Sequence, residues 1–193
     1  MSRIIWTIAA IFFACSAAIP SSVAGEWKMS GEKQLVLHAR SGMDIPIGTV
    51  IFTPQGIRTA FRVVLDRTRF KTFFLSMRDF KCIEGDDIQC HVPYPYPHPG
   101  TVGAGDFSWL EHELLFMTKT PSEFGANLYN GLYYAMTLTD IGLVGRPQSV
   151  DLNLIASPPP NADVPPFDAS ERQDKALDAR WITTLTIEDA VTH

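Results

Sequence analysis

Residues 45–66, IPIGTVIFTPQGIRTAFRVVLD, form the clearest strand pattern in the chain. Residues 45–52 are rich in β-branched side chains, and from residue 57 onward apolar and polar side chains largely alternate. Between these runs, Thr53-Pro54-Gln55-Gly56 has proline where a type I turn needs φ of about −60° and glycine at its exit. The stretch therefore predicts a β-hairpin. The side chains expected on its buried face are Ile57, Thr59, Phe61, Val63 and Leu65.

Short runs of strand-forming residues recur around this hairpin at intervals of about ten residues. They lie at 35–38, 70–76, 80–83, 88–92 and 132–138. Val150, Leu152 and Leu154 predict another strand, after a gap punctuated by Gly142, Gly145 and Pro147. Residues 181–188, WITTLTIE, predict a last strand that adds to an edge or closes the sheet.

These runs predict a single, mainly antiparallel β domain, folded as a barrel or a sandwich, with one or two short helices. A second buried row is expected at Leu132, Tyr134, Met136 and Leu138. Asp106 predicts the cap of one helix, which would place Phe107, Leu110, Leu114 and Met117 on one face. Asp168 predicts the start of a second, polar helix that ends at about Arg180.

Two proline-rich loops interrupt the pattern. Residues 93–100, PYPYPHPG, carry four alternating prolines, which cannot lie inside a sheet, so we expect an extended loop packed on the surface by its tyrosines. Residues 157–167 hold five more prolines and predict a second irregular loop.

Residues 1–24 are typical of a secretory signal peptide. Arg3 precedes an apolar run at 4–14, and this run of 11 residues is too short to span a bilayer. Pro20 follows, and Ser22-Val23-Ala24 offers small residues for cleavage before Gly25. We therefore expect residues 25–193 to form one exported domain, periplasmic or secreted, with no transmembrane segment after signal removal. Cys15 leaves a lipoprotein anchor as a second possibility.

The composition is that of a folded acidic domain. The full chain has 193 residues and a net charge of −5; without residues 1–24 it has 169 residues and a net charge of −6. That length is enough for one domain with a proper core. The negative charge argues against a nucleic-acid partner, which calls for a basic face.

Removal of the signal leaves two cysteines, Cys82 and Cys90. An oxidising compartment favours a bonded pair. A hairpin centred on Asp86 places the two cysteines opposite each other, as a cross-strand disulfide requires.

The sequence contains no motif that names a reaction: Gly-x-Ser-x-Gly, His-Glu-x-x-His and a phosphate-binding glycine loop are all absent. The best metal-like grouping is Glu111-His112-Glu113 with His91 and His98. Its spacing matches no ligand pattern, so we expect no metal and no cofactor. Glu111 and His112 remain the candidate acid and base of a cell-envelope hydrolase, if the fold brings them together.

The stretch 123–134 mixes amides, aromatic rings and glycines, which suits contact with a sugar or a peptide. The ligand-contact candidates are Asn127, Tyr129, Asn130, Tyr133 and Tyr134. The alternative is a strand with buried rings that begins at an Asn-Gly turn, Asn130-Gly131.

Three functional hypotheses follow. The leading one is an exported domain with a binding or envelope-support role, whose partner is a small molecule or an envelope component. The second is the hydrolase. The third is a protein-docking scaffold that uses Tyr94 and Tyr96 and requires their rings to be exposed.

Overall fold

The computed structural model of the protein describes residues 27–174 and 180–190, so the expected signal peptide lies outside the described residues. The strands are β1 (Gly31–Ala39), β2 (Asp44–Gln55), β3 (Arg58–Leu65), β4 (Lys71–Leu75), β5 (Arg78–Glu84), β6 (Ile88–His91), β7 (Thr101–Val102), β8 (Phe116–Lys119), β9 (Gly131–Thr139), β10 (Gly142–Val150), β11 (Gln173–Asp174) and β12 (Ile182–Glu188). One α-helix, α1, spans Ser108–Glu113, and two 3₁₀ turns lie at Arg67–Arg69 and Leu152–Ile155.

These strands form one antiparallel sheet, which confirms the predicted β class. The hydrogen-bonded order is β4-β5-β6-β8-β9-β10-β12-β1-β2-β3-β7, and β11 pairs with β10 beside this path. The sheet is not closed: within the described part of the chain, no strand pair joins β3 or β7 to β4, although β3 and β4 are consecutive in sequence.

The hairpin predicted from residues 45–66 is confirmed as β2 and β3. Its turn differs from the prediction, because Pro54 pairs with Thr59 inside the ladder and the chain reverses at Gly56 and Ile57. Gly56 has φ +65°, which glycine adopts without steric cost. Ile57 is therefore 97% exposed at the tip, and its prediction as a buried residue is wrong.

Alternation along β9 divides the buried side chains between the two faces of the sheet. One face carries the inner cluster, which includes Leu35, Leu37, Val50, Phe52, Phe116, Leu132, Tyr134, Met136, Trp181 and Leu185. The other carries the outer cluster, which includes Cys82, Ile88, Cys90, Tyr94, Trp109, Met117, Tyr133 and Phe167. The predicted row is right from Leu132 to Met136 but wrong at Leu138, which is 47% exposed.

The last strand is central, so of the two alternatives, an edge strand or a closing strand, the edge strand is wrong. β12 pairs with β1 on one side and with β10 on the other. Ile187 lies opposite both Leu35 and Leu143, and all three side chains are fully buried. β12 therefore joins the N-terminal strands to the rest of the sheet.

The gap predicted around Gly142, Gly145 and Pro147 is in fact the strand β10. A Cβ at Gly145 would lie 2.9 Å from the Cβ of Tyr134, so the glycine permits close packing there rather than a turn. The strand predicted from Val150 to Leu154 ends at Val150, because a 3₁₀ turn begins at Leu152.

The disulfide between Cys82 and Cys90 is present as predicted. The two residues lie directly opposite each other on β5 and β6, and both are fully buried in the outer cluster. The bond links the two strands that lead toward the open β4 edge.

Irregular segments cover the outer cluster. Residues 93–100 contain no helix or strand, and Tyr94 is buried with its ring 5.7 Å from that of Trp109. Tyr96 is half-buried and donates its hydroxyl proton to the carbonyl of Ala156 at 2.9 Å. The tyrosines thus pack the loop onto the protein, and the exposed rings required by the docking hypothesis are not found.

The helix predicted from Asp168 is wrong in its described part. The Asp168 side chain accepts hydrogen bonds from the backbone N–H and hydroxyl of Ser170, which makes a local turn. Gln173–Asp174 then form β11 against β10. Residues 175–179 lie outside the described residues.

Candidate functional site

A polar cleft of about 480 Å³ lies where the β5–β6 turn, the end of β8 and the entry to β12 come together. Its wall combines charged, amide and hydroxyl residues with a few apolar ones. The lining residues are Asp87, Gln89, Thr118, Lys119, Thr120, Glu123, Asn130, Leu132, Arg180, Trp181 and Ile182. A small polar molecule would fit a space of this size.

Gln89 and Tyr134 form a buried hydrogen bond at the base of this cleft. The Gln89 amide donates to the Tyr134 hydroxyl at 2.8 Å, and both side chains are almost completely buried. Burial raises the pKa of Tyr134, and the Gln89 hydrogen bond and the nearby Arg180 charge oppose that rise. The hydroxyl therefore stays protonated at physiological pH.

Arg180 brings a positive charge to the cleft. Its Nη2 donates to the Ser149 hydroxyl at 3.0 Å, whereas its buried Nε has no hydrogen-bond partner among the described residues. Burial lowers the pKa of Arg180, and Tyr134 and Asp87 oppose this shift. No carboxylate lies within 4.0 Å of the guanidinium in the described part of the chain. Arg180 therefore has donor capacity that the protein itself does not use.

Trp181 forms the apolar wall of the same cleft. Its indole lies against the backbone of the β5–β6 turn, where a Cβ at Gly85 would be only 2.0 Å from Cζ2 of the ring. Glycine at this turn is required by close approach of the ring, so the turn and the entry to β12 are fixed relative to each other.

Glu111 and His112, the candidate acid and base, lie elsewhere, in α1. Glu111 is buried, and its carboxylate accepts hydrogen bonds from the Tyr133 hydroxyl and, at 2.6 Å, from the Met136 N–H. Burial raises the pKa of Glu111, and these two hydrogen bonds oppose the rise. The carboxylate thus fastens α1 to β9.

His112 is fully buried, and both of its ring nitrogens are used. Nδ1 donates to the Ser108 carbonyl at 2.6 Å, and Nε2 accepts from the Phe167 N–H at 3.2 Å. Burial is the main cause that lowers the pKa of His112 to about 4. The ring also stacks on Phe167. A neutral, fully bonded imidazole without access to solvent has no free nitrogen for a substrate proton.

The metal-like grouping does not assemble. His98 Nε2 lies 2.8 Å from the Glu113 carboxylate, and His91 Nε2 donates to the Glu113 carbonyl at 2.8 Å. Within the residues described, no three His, Cys, Asp or Glu side chains converge as metal ligands.

No helix of the described part is long and apolar enough to cross a membrane.

The five ligand-contact candidates separate in the structure. Asn130 lines the cleft, and Tyr134 accepts a hydrogen bond from Gln89, which is another lining residue. Tyr133 faces the outer cluster, Tyr129 is 72% exposed, and the Asn127 side chain accepts from the Tyr129 N–H at 3.2 Å. The alternative of a strand with buried rings describes 131–139 well, since Tyr133 and Tyr134 are both buried in β9.

Sequence reasoning missed Gln89 and Arg180. Gln89 sits between two apolar outward residues of β6, so the strand alternation places its amide inside, where a polar side chain needs a partner. Arg180 gave no such signal, because its position depends on the central placement of β12.

Comparison with known proteins assigns no family: no family model matches this chain, and no curated protein or solved structure is significantly similar to it.

Proposed function

We propose that this chain is an exported binding domain that holds a small polar ligand in the cleft between the β5–β6 turn and the entry to β12. One observation carries the proposal: Arg180 lines this cleft, its guanidinium donates one hydrogen bond, to Ser149, and no carboxylate lies within 4.0 Å of it among the described residues. A half-buried cation of this kind is stabilised by an acceptor oxygen from a ligand.

The ligand class follows from the lining. Arg180 and the amide of Asn130 suit carboxylate, phosphate or hydroxyl oxygens, and Trp181 offers an apolar surface. Lys119, Asp87 and Glu123 also line the cleft, so its two positive and two negative formal charges balance. This balance favours a polar ligand with hydroxyl groups or a single acidic group over a polyanion.

Binding is favoured over catalysis because the candidate acid and base are engaged inside the protein. Glu111 binds Tyr133 and Met136, and His112 binds Ser108 and Phe167. Neither side chain lines the polar cleft. The hydrolase hypothesis that uses Glu111 and His112 would require these two groups to face a space that admits substrate.

Export is supported by two independent features. Residues 1–24 have the layout of a signal peptide. The buried Cys82–Cys90 bond is of the kind that persists in an oxidising compartment.

The test is native mass spectrometry of the protein purified from its own compartment. We expect a co-purifying small molecule, with occupancy reduced at least fivefold in R180Q and in N130A. R78Q and Q55A are matched controls, because Arg78 and Gln55 are exposed and lie outside the cleft. Absence of any bound molecule, or equal occupancy in cleft and control variants, would refute the proposal.

A further inference from the structure

A second cavity, of about 470 Å³, lies at the opening of the sheet. Arg62, Val63, Val64 and Leu65 all line it. Successive residues of a strand point to opposite faces, so a cavity touched by four in a row runs along the edge of β3. Its opposite wall includes Phe70, Lys81 and Glu113.

The β3 edge presents unpaired main-chain groups to this cavity. Phe61 N–H donates away from β2, to the carbonyl of Gly100, whereas Asp66 N–H donates to Ile47 on the β2 side. Because this direction alternates along an antiparallel strand, Val63 and Leu65 direct their N–H and C=O groups into the opening. β7 covers only Thr59 and Ala60, so Val63 and Leu65 have no strand partner on that side in the described part of the chain.

The charges around the opening are mainly positive. Arg62, Arg67 and Lys81 line the cavity and are exposed. Neither Arg62 nor Arg67 has a carboxylate within 4.0 Å among the described residues, and Lys81 donates to the Thr72 hydroxyl at 2.5 Å. The lining carboxylate of Glu113 is already engaged by His98 at 2.8 Å.

We propose that this edge is a docking site for an extended acidic segment of a partner polypeptide, which adds to β3 as a short strand beyond β7. Main-chain hydrogen bonds to Val63 and Leu65 provide the pairing, and Arg62 and Arg67 select acidic side chains. An open edge of this kind is otherwise a site for unwanted association, which a specific occupant would prevent. The site is separate from the polar cleft, so this proposal does not depend on the proposed small ligand.

The test is an NMR titration of the ¹⁵N-labelled chain with a seven-residue peptide in which glutamate alternates with valine and threonine. We expect saturable shifts of the Val63 and Leu65 amides at low salt with a Kd of about 1 mM or tighter, weakening as salt is added. The same peptide with N-methyl groups on alternate residues keeps its charge but loses strand pairing, and we expect at least tenfold weaker binding.

Charge selection is tested with the double variant R62E/R67E and the matched control R78E, which changes an exposed arginine outside the cavity. We expect at least tenfold weaker binding of the acidic peptide to R62E/R67E, less than twofold change in R78E, and a gain of binding by R62E/R67E for the peptide with lysine in place of glutamate. No shifts at Val63 and Leu65, or equal binding of the N-methylated peptide, would overturn the strand addition. Equal binding by R62E/R67E and R78E would overturn the acidic specificity.

Discussion

The buried imidazole of His112 makes the stability of the fold depend on pH in a defined window. Protonation would place an N–H on Nε2, facing the Phe167 N–H that this nitrogen now accepts. Burial lowers the pKa of His112 from 6.5 to about 4. Between these two pKa values, the unfolded chain binds a proton at His112 that the folded chain does not bind. The contribution of the neutral imidazole to the free energy of unfolding is therefore full above pH 6.5 and is lost as pH falls toward 4.

The size of the effect follows from this shift. With the two pKa values above, linkage gives a loss of about 2 kcal/mol in the free energy of unfolding between pH 7 and pH 5. The matched variant is H112Q, in which the glutamine oxygen still accepts from the Phe167 N–H but does not titrate. H112Q is expected to be less stable at pH 7, because the hydrogen bond to the Ser108 carbonyl and part of the ring packing are lost.

The assay is urea denaturation of both proteins at half-unit steps from pH 7 to pH 5. The advantage of the natural chain over H112Q should shrink by about 2 kcal/mol across this range. Burial also lowers the pKa of His91, but that contribution is common to both proteins and cancels in the difference. A difference that stays constant within about 0.5 kcal/mol would show that His112 titrates normally and that the dry, fully bonded imidazole is the wrong description.

Two further predictions concern the β5–β6 hairpin. Replacing Cys82 and Cys90 together by serine should lower the free energy of unfolding by about 2–3 kcal/mol while the circular dichroism spectrum stays β-type. The loss is modest because a bond across an eight-residue separation constrains the unfolded chain only modestly. An unchanged urea midpoint would contradict a bonded pair. G85A should destabilise by about 1–3 kcal/mol, because its Cβ would overlap the Trp181 ring. G103A is the control, since its Cβ would meet nothing closer than 3.6 Å, and equal thermal midpoints for the two variants would argue against the close contact.

The hairpin of β2 and β3 could be predicted because the alternation of apolar and polar side chains is visible in neighbouring residues of the sequence. The error at Ile57 came from the position of the turn: Pro54 suits a turn, but it also suits a strand position whose N–H is not needed. The actual turn lies two residues later than predicted, which places Ile57 at the tip. Phe61, Val63 and Leu65 still face inward, as predicted.

The strand β10 could not be predicted from local preference, because Gly142, Gly145 and Pro147 weaken a strand when considered alone. Pairing with β9 along nine residues outweighs that weakness. Gly145 is needed there because Tyr134 occupies the space that a side chain would fill. This requirement comes from a tertiary contact, which cannot be recognised from the sequence of β10 alone.

The cleft was accessible to sequence reasoning only in part. Asn130 and Tyr134 were found through composition, because amides and aromatic rings suit ligand contact. Arg180 lies 50 residues farther along the chain and reaches the same space only because β12 enters the middle of the sheet. Glu111 and His112 were chosen for their chemistry, but burial in α1 gives them structural hydrogen bonds instead.

The central position of β12 also has a kinetic consequence. Leu35 must find Ile187 across more than 150 residues before the inner cluster can form, so the fold has a large share of non-local contacts and should form slowly. Until that pairing occurs, β1 and β10 each present an unpaired edge that another chain could join. Chains that lack residues 182–188 cannot complete the sheet, so β1 and β10 keep these unpaired edges until the last strand is available.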